Sequence, residues 1–441
     1  MKIKPYLMIV LCMVVAANCF YFSTGLNNNW LLIWLGPIPL FVMLFYTRAI
    51  MIGFFATWIA YFIGSLSLMA YPAFFPKYWL LYESIIGSFI SASVLVISAL
   101  IIKRTTSIWA IWIYPLSIVL LEYISRNNIN SGTLGNLAYT QFDNKIILQL
   151  ASLTGIWGIS FMVSLFPVAI GTCIYFWRHS HRKAVIVILI LFLLLGGSIG
   201  FGSWRFFYQK SGRTPVKIGL LAIAQNYRDL KYGDPFIQSR RYLEQVPAIV
   251  KKGGEIIVMP EKIISVGSRN KNGILNLFQT AAKVNHVMLI FGFREHNRDK
   301  EKWSNVVYVI SSEGKIVASY HKIHLLPSSE GNYTAGDRLS FFMFKGVKIG
   351  LAICKDMDFI HPAADYGRNG VKLMIVPALD FKVDAFSHAI PATVRGVEND
   401  YIVVRSAQWG LLTISTPYGQ IVAKRRVSDN KASWLIETIK L

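Results

Sequence analysis

Charge is scarce in this chain, and acid is scarcer than base: of 441 residues only 15% are charged, with 23 Asp and Glu against 45 Lys and Arg. So little charge beside 54% hydrophobic residues excludes an ordinary soluble globule. Cysteine is scarce as well. Of the four cysteines, Cys12, Cys19 and Cys173 fall in long apolar runs, where a thiol is an ordinary small apolar side chain. Cys354 is then the single thiol of the second half, with no partner for a disulfide. The net charge of +22 is not accompanied by a basic helix, a zinc pattern or an aromatic-basic RNA motif, so it does not point to nucleic acid. Attraction to anionic lipid headgroups accounts for it more simply.

What the chain does have is apolar runs, almost all of them before Trp204. Seven stretches reach roughly the twenty residues that span about 30 Å of hydrocarbon: Pro5 to Phe22, Trp30 to Tyr46, Ile50 to Ala70, Trp79 to Ile102, Ile108 to Ile124, Ile146 to Trp177 and Ala184 to Phe201. The sixth is too long for one crossing, and its first part is expected along the interface. The first is read as a helix rather than a cleaved signal, because no small-x-small site follows it. Lys2 and Lys4, Arg48, Lys103 and Arg104, and Arg178, Arg182 and Lys183 fall in alternate connections, which the positive-inside rule makes cytoplasmic. Seven crossings then place the amino terminus in the cytoplasm and everything after Trp204 outside. The spans lack the paired ionisable residues of an ion-coupled transporter.

After the polar linker Ser211 to Pro215 the pattern changes. Val216 to Ala224 reads as a buried strand, Ile237 to Val250 has helical periodicity, and strand-like runs follow. They lie at Glu255 to Val258, Val287 to Phe291, Val306 to Ile310, Ile316 to Tyr320, Val347 to Ile353, Leu373 to Val376, Tyr401 to Arg405, Leu411 to Ser415 and Gln420 to Ala423. Strands alternating with helices early and pairing as hairpins later fit a layered α/β sandwich. The expected division is therefore a helical membrane bundle over residues 1–210 and an α/β domain over residues 211–441. The chain closes on strand-like Trp434 to Leu441, with no further span expected there.

Three polar residues stand at the ends of apolar strands, where sheet-based sites place their working groups. They are Glu261 after Val258-Met259-Pro260, Lys322 in Tyr320-His321-Lys322-Ile323-His324, and Cys354 after Gly350-Leu351-Ala352-Ile353. A thiol attacks as thiolate and needs a base to take its proton, for which Glu261 is suited. Attack on a carbonyl builds an oxyanion, which a fixed ammonium such as Lys322 stabilises. His321 and His324 lack a flanking acid at ligand spacing and are read as loop residues rather than metal ligands.

Glu, Lys and Cys in that order and in these contexts resemble the catalytic triad of the nitrilase, or carbon-nitrogen hydrolase, superfamily, and Glu330 stands where that superfamily has a second carboxylate, eight positions after the lysine. The preceding bundle makes the chain similar to the membrane branch of that superfamily, the apolipoprotein N-acyltransferases. Leu121-Glu122-Tyr123, Gly135 to Gln141 and Gln149 to Phe161 resemble that family's outer loop and sixth span. Ala224-Gln225-Asn226 with Lys231 resembles its first outer strand, and Arg395 to Asn399 with Arg405 its late helix and strand. The chain departs from the family at Met259, at Lys355 and Asp356, at Ser328-Ser329, at Ser406 to Gly410 and in lacking an eighth span.

The resemblance implies an αββα sandwich, no cofactor and no metal. It also implies a bacterial inner-membrane enzyme that carries an acyl group from a phospholipid, through a thioester on Cys354, to the amino-terminal amine of a diacylglyceryl apolipoprotein. Glu261 would be the base, Lys322 the oxyanion partner, Glu330 a supporting carboxylate, and Lys355 and Asp356 substrate contacts. Phe359 to Tyr366 and Phe381 to Ile390 would be lids that exclude water. A membrane-bound amidase or other hydrolase, and a binding protein that has lost catalysis, are the alternatives.

Overall fold

The computed structural model describes residues 5–70, 77–209, 212–225, 227–297, 301–429 and 431–441. Lys2, Lys4, Ser211 and Asn226 of the expectations above lie outside them. The chain divides into two compact units, Met1–Ser125 with Gly135–Phe207, and Arg126–Leu134 with Tyr208–Leu441.

The first unit is helical: α1 Pro5–Ser23, α2 Leu32–Leu35, α3 Pro37–Tyr46, α4 Ile50–Ser65, α5 Lys77–Thr105, α6 Ile113–Ser125, α7 Lys145–Leu148, α8 Ala151–Thr154, α9 Ile156–Trp177 and α10 His181–Phe207. Six helical segments among the described residues are long and apolar enough to cross a membrane, against the seven expected. The difference is the second stretch, where Leu32–Tyr46 is a shorter apolar helix divided at Gly36. Pro37 and Pro39 cannot donate the backbone N–H groups that a continuous helix needs there. The long sixth stretch resolves into α7, α8 and the spanning α9. Helix α9 is the inner one, with Ser160, Ser164 and Thr172 buried along it. Backbones approach closely here, as they must where lipid supplies no hydrophobic drive between helices. A Cβ on Gly171 would lie 2.7 Å from Phe41 Cβ.

The second unit holds two sheets. Its strands are β1 Pro215–Ile223, β2 Ile256–Val258, β3 Ile264–Val266, β4 Met288–Asn297, β5 Lys302–Ile310, β6 Ile316–His321, β7 Phe341–Phe344, β8 Val347–Leu351, β9 Leu373–Ala378, β10 Ile402–Ala407, β11 Leu411–Ser415, β12 Ile421–Arg426 and β13 Ala432–Lys440. The first sheet runs β13-β1-β2-β4-β5-β6 with β3 beside β4, and the second runs β12-β11-β10-β9-β8-β7. Parallel pairs lie in the middle of each sheet and antiparallel hairpins at the rims. Its helices are α11 Tyr227–Tyr232, α12 Pro235–Leu243, α13 Val246–Lys251, α14 Lys271–Val284, α15 Pro327–Glu330, α16 Ile360–Arg368 and α17 Ala385–Asn399. The single helix expected over Ile237 to Val250 is two, α12 and α13, with Pro247 in the first turn of the second.

Strand alternation decides the layers. Ile218, Leu220, Val258, Ile290 and Val307 of the first sheet pack with Ile349, Leu351, Ile375, Val404 and Leu412 of the second as one core. The opposite face of the first sheet meets Tyr242, Ile249, Ile274 and Phe278 of the helices, with Phe278 stacked on Phe291 at 4.0 Å. The opposite face of the second meets Ala363, Tyr366 and Ala392. The result is the helix-sheet-sheet-helix sandwich that the resemblance implies. Strands β3 and β7 were not legible as strands, the first being only three residues long.

Candidate active site

Strand β2 ends at Val258, and Met259-Pro260-Glu261 turns off its carboxyl end across β4. Gly292 of β4 permits this crossing, because a Cβ there would lie 2.8 Å from Glu261 Cα, Lys262 N and Pro260 O. Two backbone bonds hold the crossing, from Gly292 N to Pro260 O at 3.1 Å and from Ile263 N to Gly292 O at 2.9 Å. Lys262 takes a left-handed φ of 53° at the turn, a conformation an L side chain adopts only where its surroundings impose it. Lys322 follows β6 directly, and its N–H donates to Asn305 O of β5 at 2.9 Å. Glu330 ends the short helix α15, and its Oε2 accepts from Leu326 N at 2.8 Å.

These turns bring five side chains into one buried cluster. Lys322 Nζ is 3.0 Å from Glu261 Oε1 and 3.0 Å from Glu330 Oε2. Asn305 Nδ2 donates to Glu261 Oε1 at 2.6 Å and to Glu330 Oε1 at 2.9 Å. Lys262 Nζ reaches Glu330 Oε1 at 2.7 Å and Glu261 Oε1 at 3.4 Å. Burial alone would raise the Glu261 carboxyl, but the ammonium of Lys322, then that of Lys262, outweighs it and holds the group below its ordinary range. Glu330 is likewise held well below the carboxylate range against its burial, by Lys322 and Lys262. Lys322 is pushed far above its usual value, since its two carboxylate neighbours overcome the burial that would lower it. Every charge in the cluster thus has an opposite charge beside it, the condition for burying ions at all. Two acceptors are left over: Glu261 Oε2 and Asn305 Oδ1 are buried and make no hydrogen bond among the described residues, and Glu261 Oε2 is the one that belongs to a carboxylate.

Cys354 follows β8 and opens a 3-10 turn, Cys354–Asp358, with its own φ at +45°. A non-glycine residue in the left-handed region at a strand end is backbone strain of the sort that collects at working sites. Burial pushes the thiol up to about 12; the Glu261 charge adds to that rise and the Lys322 ammonium opposes it. The thiol therefore lies within the electrostatic reach of both.

Asp356 and Lys355, expected as substrate contacts, have partners within the protein. Asp356 is fully buried and accepts from Ile353 N at 2.9 Å, Tyr320 OH at 2.8 Å and His324 N at 2.8 Å. It ties the nucleophile turn to the Lys322 loop. Its carboxyl is raised to about 6 by burial, which the two backbone donors only partly offset. Lys355 is also buried, and its Nζ donates to Asn130 O at 2.7 Å. His324 stacks on Phe359, ring centroids 3.7 Å apart. Of the two segments expected as lids, Phe359 to Tyr366 is part of the outer helical layer: both named rings are buried, and Tyr366 OH accepts from Ser340 N at 3.0 Å. Just before the other, Asp380 is buried and clamped by both terminal nitrogens of Arg405, and within it Val383 is exposed.

Sequence reasoning missed Asn305, Lys262 and the loop Arg126–Leu134. The loop belongs to the sandwich unit, and Thr133 N and Oγ1 both donate to Asp358 O, at 2.9 Å and 2.6 Å. Arg395 Nη2 donates to Thr133 Oγ1 at 2.6 Å. Gly132, at φ +57°, fits there because a Cβ would stand 2.8 Å from Asp358 O. The signal for Asn305 was a lone amide inside an apolar strand, and for Lys262 a cation directly after the candidate base.

Compared with known proteins, residues 220–432 match the family described as Carbon-nitrogen hydrolase, and residues 16–169 match the family described as Apolipoprotein N-acyltransferase N-terminal domain. An apolipoprotein N-acyltransferase of Geobacter metallireducens is 23% identical over 337 residues, 70% of this chain and 64% of that protein. One of Brucella suis is 24% identical over 319 residues, 65% of this chain and 59% of that protein. The chain thus spans less than two thirds of the length of these curated relatives. Among solved structures, an amidase from Nesterenkonia sp. aligns with a TM-score of 0.45 at 15% identity, over 53% of this chain and 92% of that one.

Proposed function

The chain belongs to the N-acyltransferase branch of the carbon-nitrogen hydrolase superfamily, and on that premise we propose that it moves a fatty acyl group from a membrane phospholipid, through a thioester on Cys354, to the amino-terminal amine of a diacylglyceryl apolipoprotein. The observation that carries this reading is the state of Glu261: Oε1 is held by Lys322, Asn305 and Lys262, while Oε2 is an open acceptor. That is what a positioned general base requires.

Oε2 takes the Sγ proton as sulfur attacks the ester carbonyl, and the Lys322 ammonium faces the oxyanion that forms. Collapse breaks the ester C–O bond; the lysophospholipid oxygen leaves with the proton held by Glu261, and Cys354 keeps the acyl group. The acceptor's neutral amine then attacks the thioester and gives its proton to Glu261. A second collapse expels the thiolate, which takes that proton back, and an amide results. Both substrates carry acyl chains that bind lipid by about 0.8 kcal/mol per methylene, so an enzyme for them belongs at a membrane.

Counting crossings supports the direction of the chain. Leu32–Tyr46 is short but is tied at both ends: Gln141 Nε2, beyond α6, donates to Trp30 O at 3.0 Å, and Lys103 Nζ, at the end of α5, donates to Thr47 O at 2.8 Å. Those two connections are separated by the single span that ends in α6, which supports reading Leu32–Tyr46, short as it is, as a further crossing. Arg48, Lys103, Arg104, Arg178, Arg182 and Lys183 then share the cytoplasmic face with the amino terminus. Helices α9 and α10 bring the chain back to the face from which Arg126–Leu134 emerges. On this reading Tyr208–Leu441 lies on the extracytoplasmic side of a bacterial inner membrane.

Incubation of the membrane-purified protein with acyl-labelled phospholipid and no acceptor tests the reading. One equivalent of hydroxylamine-sensitive label on Cys354, released as an amide on adding a diacylglyceryl-cysteinyl peptide, is expected. Continuous release of labelled fatty acid with no amide would mean a hydrolase instead. An unchanged cellular role for Cys354→Ala would mean a binding protein.

A further inference from the structure

The mechanism above gives the second cation of the ionic cluster no part beyond its contact with Glu261 Oε1. Lys262 is adjacent to Glu261 in sequence, yet its ammonium does not point to open solvent. It is 14% exposed and lies 2.7 Å from Glu330 Oε1 and 3.4 Å from Glu261 Oε1. The left-handed backbone at Lys262 and the Gly292 crossing beneath it aim the side chain back over the two carboxylates. We propose that Lys262 is a positioning residue of the reaction: its ammonium holds Glu330 against Lys322, keeps Glu261 ionised with Oε2 open, and balances the negative charge that develops at the reacting carbonyl.

Counting charges shows why a second ammonium matters. At rest the cluster holds Glu261 and Glu330, both negative, and Lys322 and Lys262, both positive, so its sum is zero. Once Glu261 has taken the thiol proton, the same four groups sum to one positive charge. The tetrahedral adduct on Cys354 carries one negative charge, so these four groups and the adduct together stay neutral. Without Lys262 the resting cluster would be negative and the oxyanion would develop with no net counter-charge, in a buried site where electrostatic interactions are strong. The other groups that face Glu261 do not supply the difference. Asn305 of β5 is neutral, Glu330 of α15 is negative, and the Asp380–Arg405 pair near Cys354 cancels internally. Tyr333 lies beyond Lys262, its ring centroid 5.7 Å from Nζ, and Asp356 on the Lys322 side is engaged by three protein donors.

The inference rests on Glu261 being the base, so its test separates the two. The rate of alkylation of Cys354 by iodoacetamide, measured against pH in the full-length detergent-purified protein, reads proton acceptance by Glu261 without any lipid or acceptor. Lys262→Met should move the acid limb of that profile upward by about one pH unit or more, the effect of removing an opposite charge within 4–6 Å. In acyl transfer it should lower kcat with little change in KM. Lys262→Arg should restore the limb toward its original position, and thermal unfolding of both variants separates this from a loss of fold. Should Lys262→Met not fold, Lys262→Gln against Lys262→Arg gives the same comparison. A profile left in place by Met or Gln, in a protein whose Glu261→Gln variant has lost the limb, overturns the role of Lys262 alone. A profile that Glu261→Gln leaves unchanged overturns the base, and this inference with it.

Discussion

In the helical unit Phe192 and Leu193 of α10 are 72% and 69% exposed, while Gln149, Ser160 and Thr172 are buried. In the sandwich Ile290, Leu351 and Phe278 are fully buried, and the charges buried with them, at the cluster around Lys322, at Asp356 and at Asp380 with Arg405, are held by protein partners. The two units are thus sorted by different solvents. Lipid leaves apolar side chains indifferent to burial and helices held by close packing and polar contacts. Water drives apolar surface together at roughly 25 cal/mol per Å². A buried ionic cluster can be sustained only where a well-packed core fixes every partner, and that is where the chain puts it.

Four substitutions sharpen that contrast. Lys322→Met should have the largest effect, because it removes the proposed oxyanion partner and leaves Glu261 and Glu330 as buried carboxylates short of a cation. A loss of about 10²- to 10³-fold in kcat is expected from acyl-transfer assays, together with about 3–5 kcal/mol of stability in denaturant unfolding of the sandwich. That stability is itself pH-dependent. The carboxyls of Glu261 and Glu330 are depressed on folding, so their contribution is present above the ordinary carboxylate range and is lost as pH falls through the folded values. Phe278→Ala comes next. It opens a cavity against Phe291 and should cost about 3–5 kcal/mol, whereas Phe192→Ala on the exposed face of α10 should stay within about 0.5 kcal/mol; equal losses would break the comparison. Thr133→Val is the smallest. It removes the hydroxyl bonds to Asp358 O and Arg395, about 1 kcal/mol, and should show as faster hydrogen exchange confined to Arg126–Leu134 and the Cys354–Asp358 turn.

Much of this was legible before any coordinates. Glu261, Lys322 and Cys354 stand out because each is a lone reactive group closing an apolar strand, and β1 and β11 run within a residue of where alternation placed them. The span count came apart at Leu32–Tyr46, where composition reads as apolar but Pro37 and Pro39 interrupt the ladder of hydrogen bonds. Asp356 was expected as a substrate contact. It is instead a buried acceptor for Ile353, Tyr320 and His324, and nothing local to Cys354-Lys355-Asp356 announces donors that arrive from β6 and the loop after it.

Local periodicity and composition by themselves determined that the chain has an apolar helical half and an αββα half, and which residue types close its strands, because burial acts on neighbours one turn or one pleat apart. Only the tertiary structure decided that Lys262 and Asn305 join the cluster, that Glu261 keeps one oxygen open, and that Thr133 reaches Asp358 across 225 residues. Such contacts depend on how whole elements dock, and the free energy that selects them is summed over the packed core rather than written in any one segment.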